Sequence, residues 1–256
     1  MGRPHRNHQR LLGMALAVAA MIAVAPGAPA PAAQAPEGPS RQAIEEIIRE
    51  YLQSHPEIVE DALRTLQLRR REAQQQRARS AVQANQDKLL GDAGSPAGGN
   101  PRGDVTVVEF FDYRCGYCKK VAPLVKQLLA DDPNVRVVYK ELPILGADST
   151  VAARAALAAH AQGKYAALHD ALMAADGPFT LPVIQELARK AGLDIARLQA
   201  DMETPEVHAS LERNHALAQA LGIQGTPAFV IGAELVPGAV ELSSLKALVS
   251  RARGKP

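Results

Sequence analysis

The chain is 256 residues long, which is enough for one large domain or two small ones with a buried hydrophobic core. Its 47% hydrophobic and 22% charged residues match ordinary globular proteins, and its two cysteines exclude both a multi-disulfide scaffold and a four-cysteine metal site. An aromatic content of 4%, without tryptophan, and a formal net charge of +2 give little support for binding to nucleic acids or sugars.

Residues 1–35 have the order of a secretory signal peptide. A basic start with three arginines precedes an apolar run over 11–25, and a proline- and alanine-rich stretch follows, with a predicted cut between Ala32 and Ala33. The alternative is an uncleaved membrane anchor, but a run of 15 apolar residues is shorter than the roughly 20 that span a bilayer. We therefore expect export to the periplasm, an oxidising compartment in which a thiol pair can cycle through a disulfide.

Cleavage also changes the charge of the chain. The leader carries three arginines and no acidic residue, so its removal leaves 26 basic against 27 acidic residues and a net charge of about −1. The basic character of the whole sequence belongs largely to the leader, and we predict no nucleic-acid partner.

Residues 40–87 are predicted to form an N-terminal helical region. Apolar residues recur at helical spacing on either side of Pro56. These residues are Ile44, Ile47, Ile48, Tyr51, Leu52, Ile58, Val59, Ala62, Leu63 and Leu66. Helices with an apolar stripe and no core of their own gain stability by packing on further copies. The stripe therefore predicts a homo-oligomer through residues 40–68, and docking on the rest of the same chain is the alternative.

The remainder of the chain is predicted to be an α/β domain. A loop is expected over 91–104, and four or five short helices are expected in the alanine-rich stretch 149–221. The other predicted elements are strands at 105–111, 135–141, 228–231 and 234–236, and helices at 115–130 and 241–253. The first two strands, joined by a helical crossover, predict a parallel pair in a right-handed unit.

Cys115-Gly116-Tyr117-Cys118 is the sharpest chemical signal. The first thiol is expected to be exposed at the start of a helix, where unpaired N–H groups and the helix dipole stabilise a thiolate. Cys115 would be the nucleophile, and Cys118, one turn inside, the resolving thiol. A haem-attachment site requires a histidine directly after the second cysteine, but that residue is Lys119. A zinc site would need two further ligands at a suitable spacing, and the sequence does not offer them. A purely structural disulfide remains the alternative.

With this context the chain resembles the DsbA-like thiol:disulfide oxidoreductases of the thioredoxin superfamily. The resemblance rests on the segments 107–123 and 222–229. It implies that Pro227 forms a cis bond against the active-site disulfide, and that Thr226 and Pro227 offer backbone groups to an extended substrate. Gly116 and Tyr117, between the cysteines, are assigned to substrate contact on the same basis.

Glu109 is a further candidate because an acidic residue inside an apolar strand must be paired, neutralised or functional. The resemblance assigns it to the buried acid that assists proton traffic of the inner thiol. The alternative is a strand-edge carboxylate paired with a lysine such as Lys140.

The resemblance also implies a fold and a domain plan. We expect a thioredoxin fold over 88–256 with an inserted helical subdomain at about 149–221, preceded by the helical segment 40–87. The Gly-Tyr dipeptide and the N-terminal helices are similar to ScsC-type proteins, named for suppressor of copper sensitivity, some of which form trimers. This favours a disulfide isomerase or reductase. The alternatives are a dithiol oxidase and a Cu(I)-binding protein that uses Cys115 and Cys118 as soft ligands.

We expect no cofactor apart from the redox-active disulfide, and no metal unless the Cu(I) alternative holds. The expected partners are unfolded or misoxidised exported proteins and a membrane redox protein that recycles the thiol pair. The remaining polar residues are expected to have simpler roles. Asp112, Tyr113 and Arg114 would line the approach to Cys115, Lys119 and Lys120 would lie on a solvated helix face, and the histidines of the insert would lie at the surface or at helix ends.

Overall fold

The computed structural model describes residues 38–92 and 94–254, so the predicted leader lies outside the described residues. The chain divides into two compact units, one ending at Val59 and the other beginning at Glu60. In the described residues no helix combines the length and apolarity needed to cross a bilayer.

The N-terminal region is helical, as predicted. Helix α1 spans Arg41–Ser54, and the side chain of Ser40 caps its start by accepting a hydrogen bond from the Ala43 amide at 3.3 Å. Helix α2 spans Pro56–Ala84, so it begins in the first unit and continues into the second. The apolar stripe residues of both helices are exposed, and Ile47, for example, keeps 61% of its surface.

The second unit is built on a mixed five-stranded sheet with the order β1-β3-β2-β4-β5. Strands β2 and β3 are parallel and the other neighbours are antiparallel. The strands are β1 (Ala97–Gly99), β2 (Val105–Phe111), β3 (Val135–Glu141), β4 (Ala228–Ile231) and β5 (Glu234–Pro237). The central strands are rich in β-branched and aromatic residues and are covered on both faces, which accounts for their nearly continuous apolar sequence.

In the part of the chain that the structure describes, eight further helices belong to this unit or border its sheet. They are α3 (Gln86–Leu90), α4 (Gly116–Asp131), α5 (Ala147–Ala161), α6 (Tyr165–Ala174), α7 (Leu181–Lys190), α8 (Ile195–Asp201), α9 (Pro205–Leu221) and α10 (Leu242–Ala252). Helices α4 and α10 pack on the face of β2 that carries Val107, while α3 and α9 pack on the face that carries Val108 and Phe110. Helices α5 to α9 form the insert, which confirms the α/β class with an inserted helical subdomain.

Strand β1 lies inside the segment 91–104, which the sequence predicts to be a loop. The residues of this strand are alanine and glycine, which have a low strand propensity, so the sequence does not indicate a strand. The structure shows why the residues here are small. Gly99 has a φ of +72°, and a Cβ there would lie 2.5 Å from both Leu129 Cδ2 and the Val135 carbonyl oxygen. Only glycine fits where the edge strand passes this close to its neighbours.

Candidate active site

Cys115 is the N-cap residue of α4, at the point where the chain turns out of β2. Its amide donates to the Asp112 carbonyl at 3.0 Å, and its own carbonyl accepts from the Lys119 amide at 3.1 Å. The placement at a helix start is confirmed. The expected exposure is wrong, because Cys115 keeps only 8% of its surface.

The cover over Cys115 includes the loop before β4. The thiol donates a hydrogen bond to the Thr226 carbonyl, with 3.2 Å between sulfur and oxygen, across 111 residues of sequence. The Thr226–Pro227 peptide bond is cis, and the Pro227 carbonyl accepts from the Gly238 amide at 2.8 Å. The structure thus brings the two motifs of the sequence into direct contact at one sulfur atom.

Cys118 lies one turn inside α4 and is completely buried. Both cysteines are free thiols in this structure. Burial raises the pKa of the Cys118 thiol above its ordinary value, because the charged thiolate is poorly solvated there. The inner thiol therefore needs a proton acceptor before it can react.

Glu109 is a buried carboxyl on the sheet beneath this helix. It keeps 1% of its surface and lies on the same face of β2 as Val107 and Phe111, which pack against α4. Burial raises its pKa to about 8, and its Oε1 has no hydrogen-bond partner among the described residues. The carboxyl is thus able to take up or release a proton close to neutral pH.

Lys140 is not the partner of Glu109. Its ammonium group binds Asp92 Oδ2 at 2.9 Å and Ser95 Oγ at 2.7 Å, and the side chain is 1% exposed. The residue lies on β3, one position beyond the strand neighbour of Glu109, which is Tyr139. Alternation along the strand points the two side chains to opposite faces, so the pairing alternative is wrong.

The residues between the cysteines lie at the surface. Tyr117 keeps 63% of its surface, with the Lys120 ammonium 5.4 Å from the ring centre. A Cβ on Gly116 would meet nothing within 4 Å, so the helix start is open to an approaching chain. Ile144 and Leu145, in the loop after β3, are also exposed apolar residues. These positions leave Gly116 and Tyr117 accessible to a substrate.

Asp112 organises the loops around the thiols and is buried. One carboxylate oxygen accepts from the Arg114 amide at 2.8 Å, and the other accepts from the Ile144 and Leu145 amides at 2.9 and 3.0 Å. Arg114 adds a bond to the Leu145 carbonyl at 3.3 Å. Asp112 therefore fixes the 142–146 loop against the loop that leads into Cys115 and does not itself line the approach.

A buried polar cluster behind the cysteines was missed by the sequence analysis. Glu141 Oε1 accepts hydrogen bonds from Tyr113 at 3.0 Å and Tyr165 at 2.8 Å. The Tyr113 hydroxyl also lies 3.0 Å from Nδ1 of His169, which is buried rather than at the surface. Desolvation raises the pKa of Glu141 well above its usual range and lowers that of His169 to about 4. Helical spacing connects only Tyr165 and His169, which lie four apart on α6, and no spacing rule connects them to Glu141 on β3 or to Tyr113 in the loop after β2.

Lys119 also differs from the expectation of a solvated face. Its ammonium contacts the Ala175 carbonyl and lies 5.4 Å from the centre of the Phe179 ring, and the side chain is mostly covered. It thus ties α4 to the loop between α6 and α7. Among the described residues, no three His, Cys, Asp or Glu side chains converge to hold a metal ion.

A thiol pair at a helix start, next to a cis-proline loop on a mixed sheet with an inserted helical layer, defines a thioredoxin-like domain. Residues 106–250, more than half of the chain, match the family model for the DSBA-like thioredoxin domain. The chain therefore belongs to the DsbA-like thioredoxin family. Residues 41–73 match the model for the copper resistance protein ScsC N-terminal domain.

Two solved structures agree with this assignment, and one curated relative is matched over a small part of its own length. A thioredoxin-like oxidoreductase from Silicibacter pomeroyi is 53% identical, with a TM-score of 0.65 over 67% of this chain and 99% of that one. A linker-deletion mutant of Proteus mirabilis ScsC is 29% identical, with a TM-score of 0.66 over 86% of this chain and 99% of that one. The Na(+)/H(+) antiporter NhaA 1 of Salinispora arenicola is 31% identical over 150 residues, 58% of this chain, and the match spans only 23% of its own length.

Proposed function

We propose that this protein is a thiol:disulfide oxidoreductase that acts on other exported proteins through Cys115 and Cys118. The observation that carries the proposal is the pairing of a helix-capping thiol with the Thr226 carbonyl, 3.2 Å away, above a second thiol that is buried one turn inside. A disulfide with a purely structural role would close a very small loop and constrain little of the unfolded chain.

The order of the exchange steps follows from the different environments of the Cys115 and Cys118 thiols. The Cys115 thiolate attacks one sulfur of a substrate disulfide, forms a mixed disulfide and releases the other substrate sulfur as a thiolate. Cys118 then loses its proton and attacks the Cys115 sulfur, which forms the Cys115–Cys118 disulfide and releases the second substrate thiolate. The substrate gains two electrons and the thiol pair loses two. The reverse sequence oxidises a dithiol substrate.

Glu109 is proposed to receive the proton of Cys118. Its pKa of about 8 lets the carboxyl change protonation near neutral pH, and its side chain lies on the face of β2 that packs against α4, the helix that carries Cys118; both observations support this role. Thr226 and Pro227 are proposed to bind the substrate backbone beside the reacting sulfur, with Gly116 and Tyr117 as the exposed surface on the other side.

Isomerisation or reduction is the proposed physiological reaction, and net oxidation is the alternative. The Gly-Tyr dipeptide supports it, as does the ScsC-type N-terminal match over 41–73. The exposed apolar stripes of α1 and α2 support a homo-oligomer, as a trimer through residues 40–68. Several thiol pairs in one assembly favour reshuffling of wrong disulfides. The proposed site of action is the periplasm, with a membrane redox partner that keeps the pair reduced and no cofactor besides the redox disulfide.

The test uses the mature chain and two single variants. The reduced protein is expected to restore activity to a substrate protein with scrambled disulfides, and Cys115→Ala is expected to abolish this. Cys118→Ala should accumulate a mixed disulfide with the substrate, visible by non-reducing electrophoresis. If only the oxidised protein acts, and only on reduced unfolded substrate, the oxidase alternative replaces the isomerase. If neither form reacts, the enzyme proposal is wrong.

Cu(I) binding is the second candidate function, favoured by the match of 41–73 to a copper resistance protein domain and by the two soft thiols at one helix turn. A Cu(I) titration of the reduced protein, in competition with a chelator, tests it. Tight binding that requires both Cys115 and Cys118, together with no disulfide exchange, would favour copper binding over the enzyme. Binding no tighter than that of a free dithiol would exclude it.

A further inference from the structure

A groove with a volume of about 570 Å³ lies next to the proposed site, within the second unit. One wall is α2, and the other is the loop before β4 together with residues of β5 and the turn after it. The α2 wall consists of Arg71, Gln74, Gln75, Ala78 and Arg79, and the opposite wall of residues 222–228, 234, 235, 237 and 238. The loop that contacts the Cys115 sulfur therefore also forms part of this groove.

The α2 wall is one face of a regular helix. Positions 71, 74, 75, 78 and 79 follow helical spacing, and Val82, one turn further on, lies on the same face and is buried against the domain. At Val82 this face packs on the domain, but towards Arg71 it carries arginine and glutamine and faces open space. A helix face of arginine and glutamine side chains is suited to bind a polar or charged ligand.

The groove carries positive charge that no carboxylate of the described residues neutralises. Neither Arg71 nor Arg79 has a carboxylate partner among the described residues, whereas Glu234, the acidic lining residue, lies 3.3 Å from the Arg251 guanidinium. Gln74, Gln75 and Gln224 add amide groups that can donate and accept hydrogen bonds along a peptide backbone.

We propose that this groove binds the segment of a substrate polypeptide that flanks its reacting cysteine, and that it prefers segments with acidic side chains. The inference rests on the proposed function. A substrate joined to Cys115 by a disulfide has its backbone at Thr226, because the Thr226 carbonyl contacts the Cys115 sulfur, and Thr226 also lines the groove. The neighbouring residues of that substrate run between the Thr226 loop and α2, where Arg71 and Arg79 face their carboxylates.

The expected size of the preference is modest because both arginines are exposed. An exposed ion pair changes an equilibrium by roughly 1.5- to 5-fold. Two pairs near the middle of this range, about two- to threefold each, are together expected to change the exchange rate by about three- to tenfold. The effect should fall at high ionic strength, since salt screens exposed charges.

The test uses the full mature chain in its reduced form and three disulfide-bearing peptides. The peptides are identical except for the residues flanking the cysteine, which are glutamate, glutamine or lysine. Each exchange rate is divided by the rate of the same variant with hydroxyethyl disulfide, a small neutral substrate. Wild-type protein is expected to prefer the glutamate peptide by about three- to tenfold at low salt, and to lose this preference in 0.5 M NaCl.

Two double variants locate the effect. Arg71→Glu with Arg79→Glu should abolish or reverse the preference. Arg70→Glu with Arg77→Glu makes the same charge change on another face of α2, outside the groove, and should keep the preference. Thermal unfolding checks that both variants fold.

Several outcomes would overturn the inference while leaving the proposed function intact. One is equal rates for the three peptides, and another is an equal loss of preference in both double variants. A third is an unaltered preference in the groove variant, which is Arg71→Glu with Arg79→Glu. A groove variant that changes the mass in solution but keeps the peptide preference would assign the groove to a second copy of the chain, and the inference would again fail. If wild-type protein reacts with no peptide and not with hydroxyethyl disulfide, the proposed function itself falls and the inference falls with it.

Discussion

The Tyr113 hydroxyl, two residues before Cys115, donates a hydrogen bond to the buried carboxyl of Glu141 at 3.0 Å. One hydroxyl carries one proton, so a Tyr113 that donates to Glu141 accepts from Nδ1–H of His169, which lies 3.0 Å away. This chain of hydrogen bonds fixes the loop that leads into the first cysteine, and it connects the end of β3 and the inserted helices to the same point.

Tyr113→Phe is therefore expected to lower stability and to disturb the thiols. Loss of one buried hydrogen bond to a carboxyl whose Oε2 is already without a partner among the described residues should cost about 1–3 kcal/mol in the free energy of unfolding. Tyr165→Phe is the control, because Tyr165 binds the same oxygen from α6. Denaturant unfolding should show a loss in both variants, and the exchange rate of Cys115 should fall in Tyr113→Phe alone. Equal exchange rates in the two variants would contradict a link to the thiol loop.

Glu109→Gln is expected to change how stability depends on pH. The pKa of this carboxyl is about 8 in the folded protein against an ordinary 4.5, so the folded state keeps a proton that the unfolded chain loses between these values. Stability therefore falls as pH rises from 4.5 to 8. Each pKa unit corresponds to about 1.4 kcal/mol. Between pH 4.5 and 7 the free energy of unfolding of the wild type should therefore fall by on the order of 3 kcal/mol more than that of the variant, as denaturant unfolding at each pH would measure.

The same variant tests the proposed proton transfer. Glutamine cannot take up the Cys118 proton, so resolution of the mixed disulfide by Cys118 should slow while formation of that disulfide by Cys115 stays unchanged. Single-turnover measurements across pH 5 to 9 separate the two steps. A variant that slows both steps equally, or that retains the pH-dependent resolution of the wild type, would argue for a purely structural carboxyl.

The buried ion pair of Lys140 and Asp92 predicts an asymmetry between its two partners. Asp92→Asn leaves a lysine with a side-chain exposure of 1% without its counter-charge, whereas Lys140→Met leaves a carboxylate that is 18% exposed and still bound to Ser95. Removing the partner of a buried charge costs about 3–5 kcal/mol, so Asp92→Asn should approach this range and Lys140→Met should cost less. Urea unfolding at pH 7 measures both, and the reverse order would be evidence against this account.

The exposed stripes of α1 and α2 predict the behaviour of the chain in solution. Ile47→Glu and Leu63→Glu place a charge on the apolar stripe and should convert an oligomer into monomers. Gln53→Glu adds the same charge to the side of α1 opposite the stripe and should leave the oligomer intact. Analytical ultracentrifugation gives the masses. A wild-type monomer at all concentrations would remove the support for a trimer and weaken the isomerase proposal.

Local patterns were enough to predict the main elements. The strands 105–111 and 135–141 lie at the predicted positions, because long buried strands show as continuous apolar, β-branched runs. Cys115 and Cys118 were identified by spacing, since residues three apart on a helix necessarily lie close together. The burial of Glu109 was predicted from a single charge within an apolar strand.

Relationships between distant residues required the tertiary structure. The 3.2 Å contact between Cys115 and Thr226, the choice of Asp92 as the partner of Lys140 and the burial of His169 against Tyr113 join elements that are 48 to 111 residues apart. Sequence periodicity reports which face of an element is apolar, but it does not report which polar groups meet when several elements pack. Desolvation, which raises the pKa of both Glu109 and Cys118, arises only from that packing. Two cysteines in 256 residues thus predicted the chemistry, while the fold decided which thiol meets the Thr226 carbonyl and which is buried.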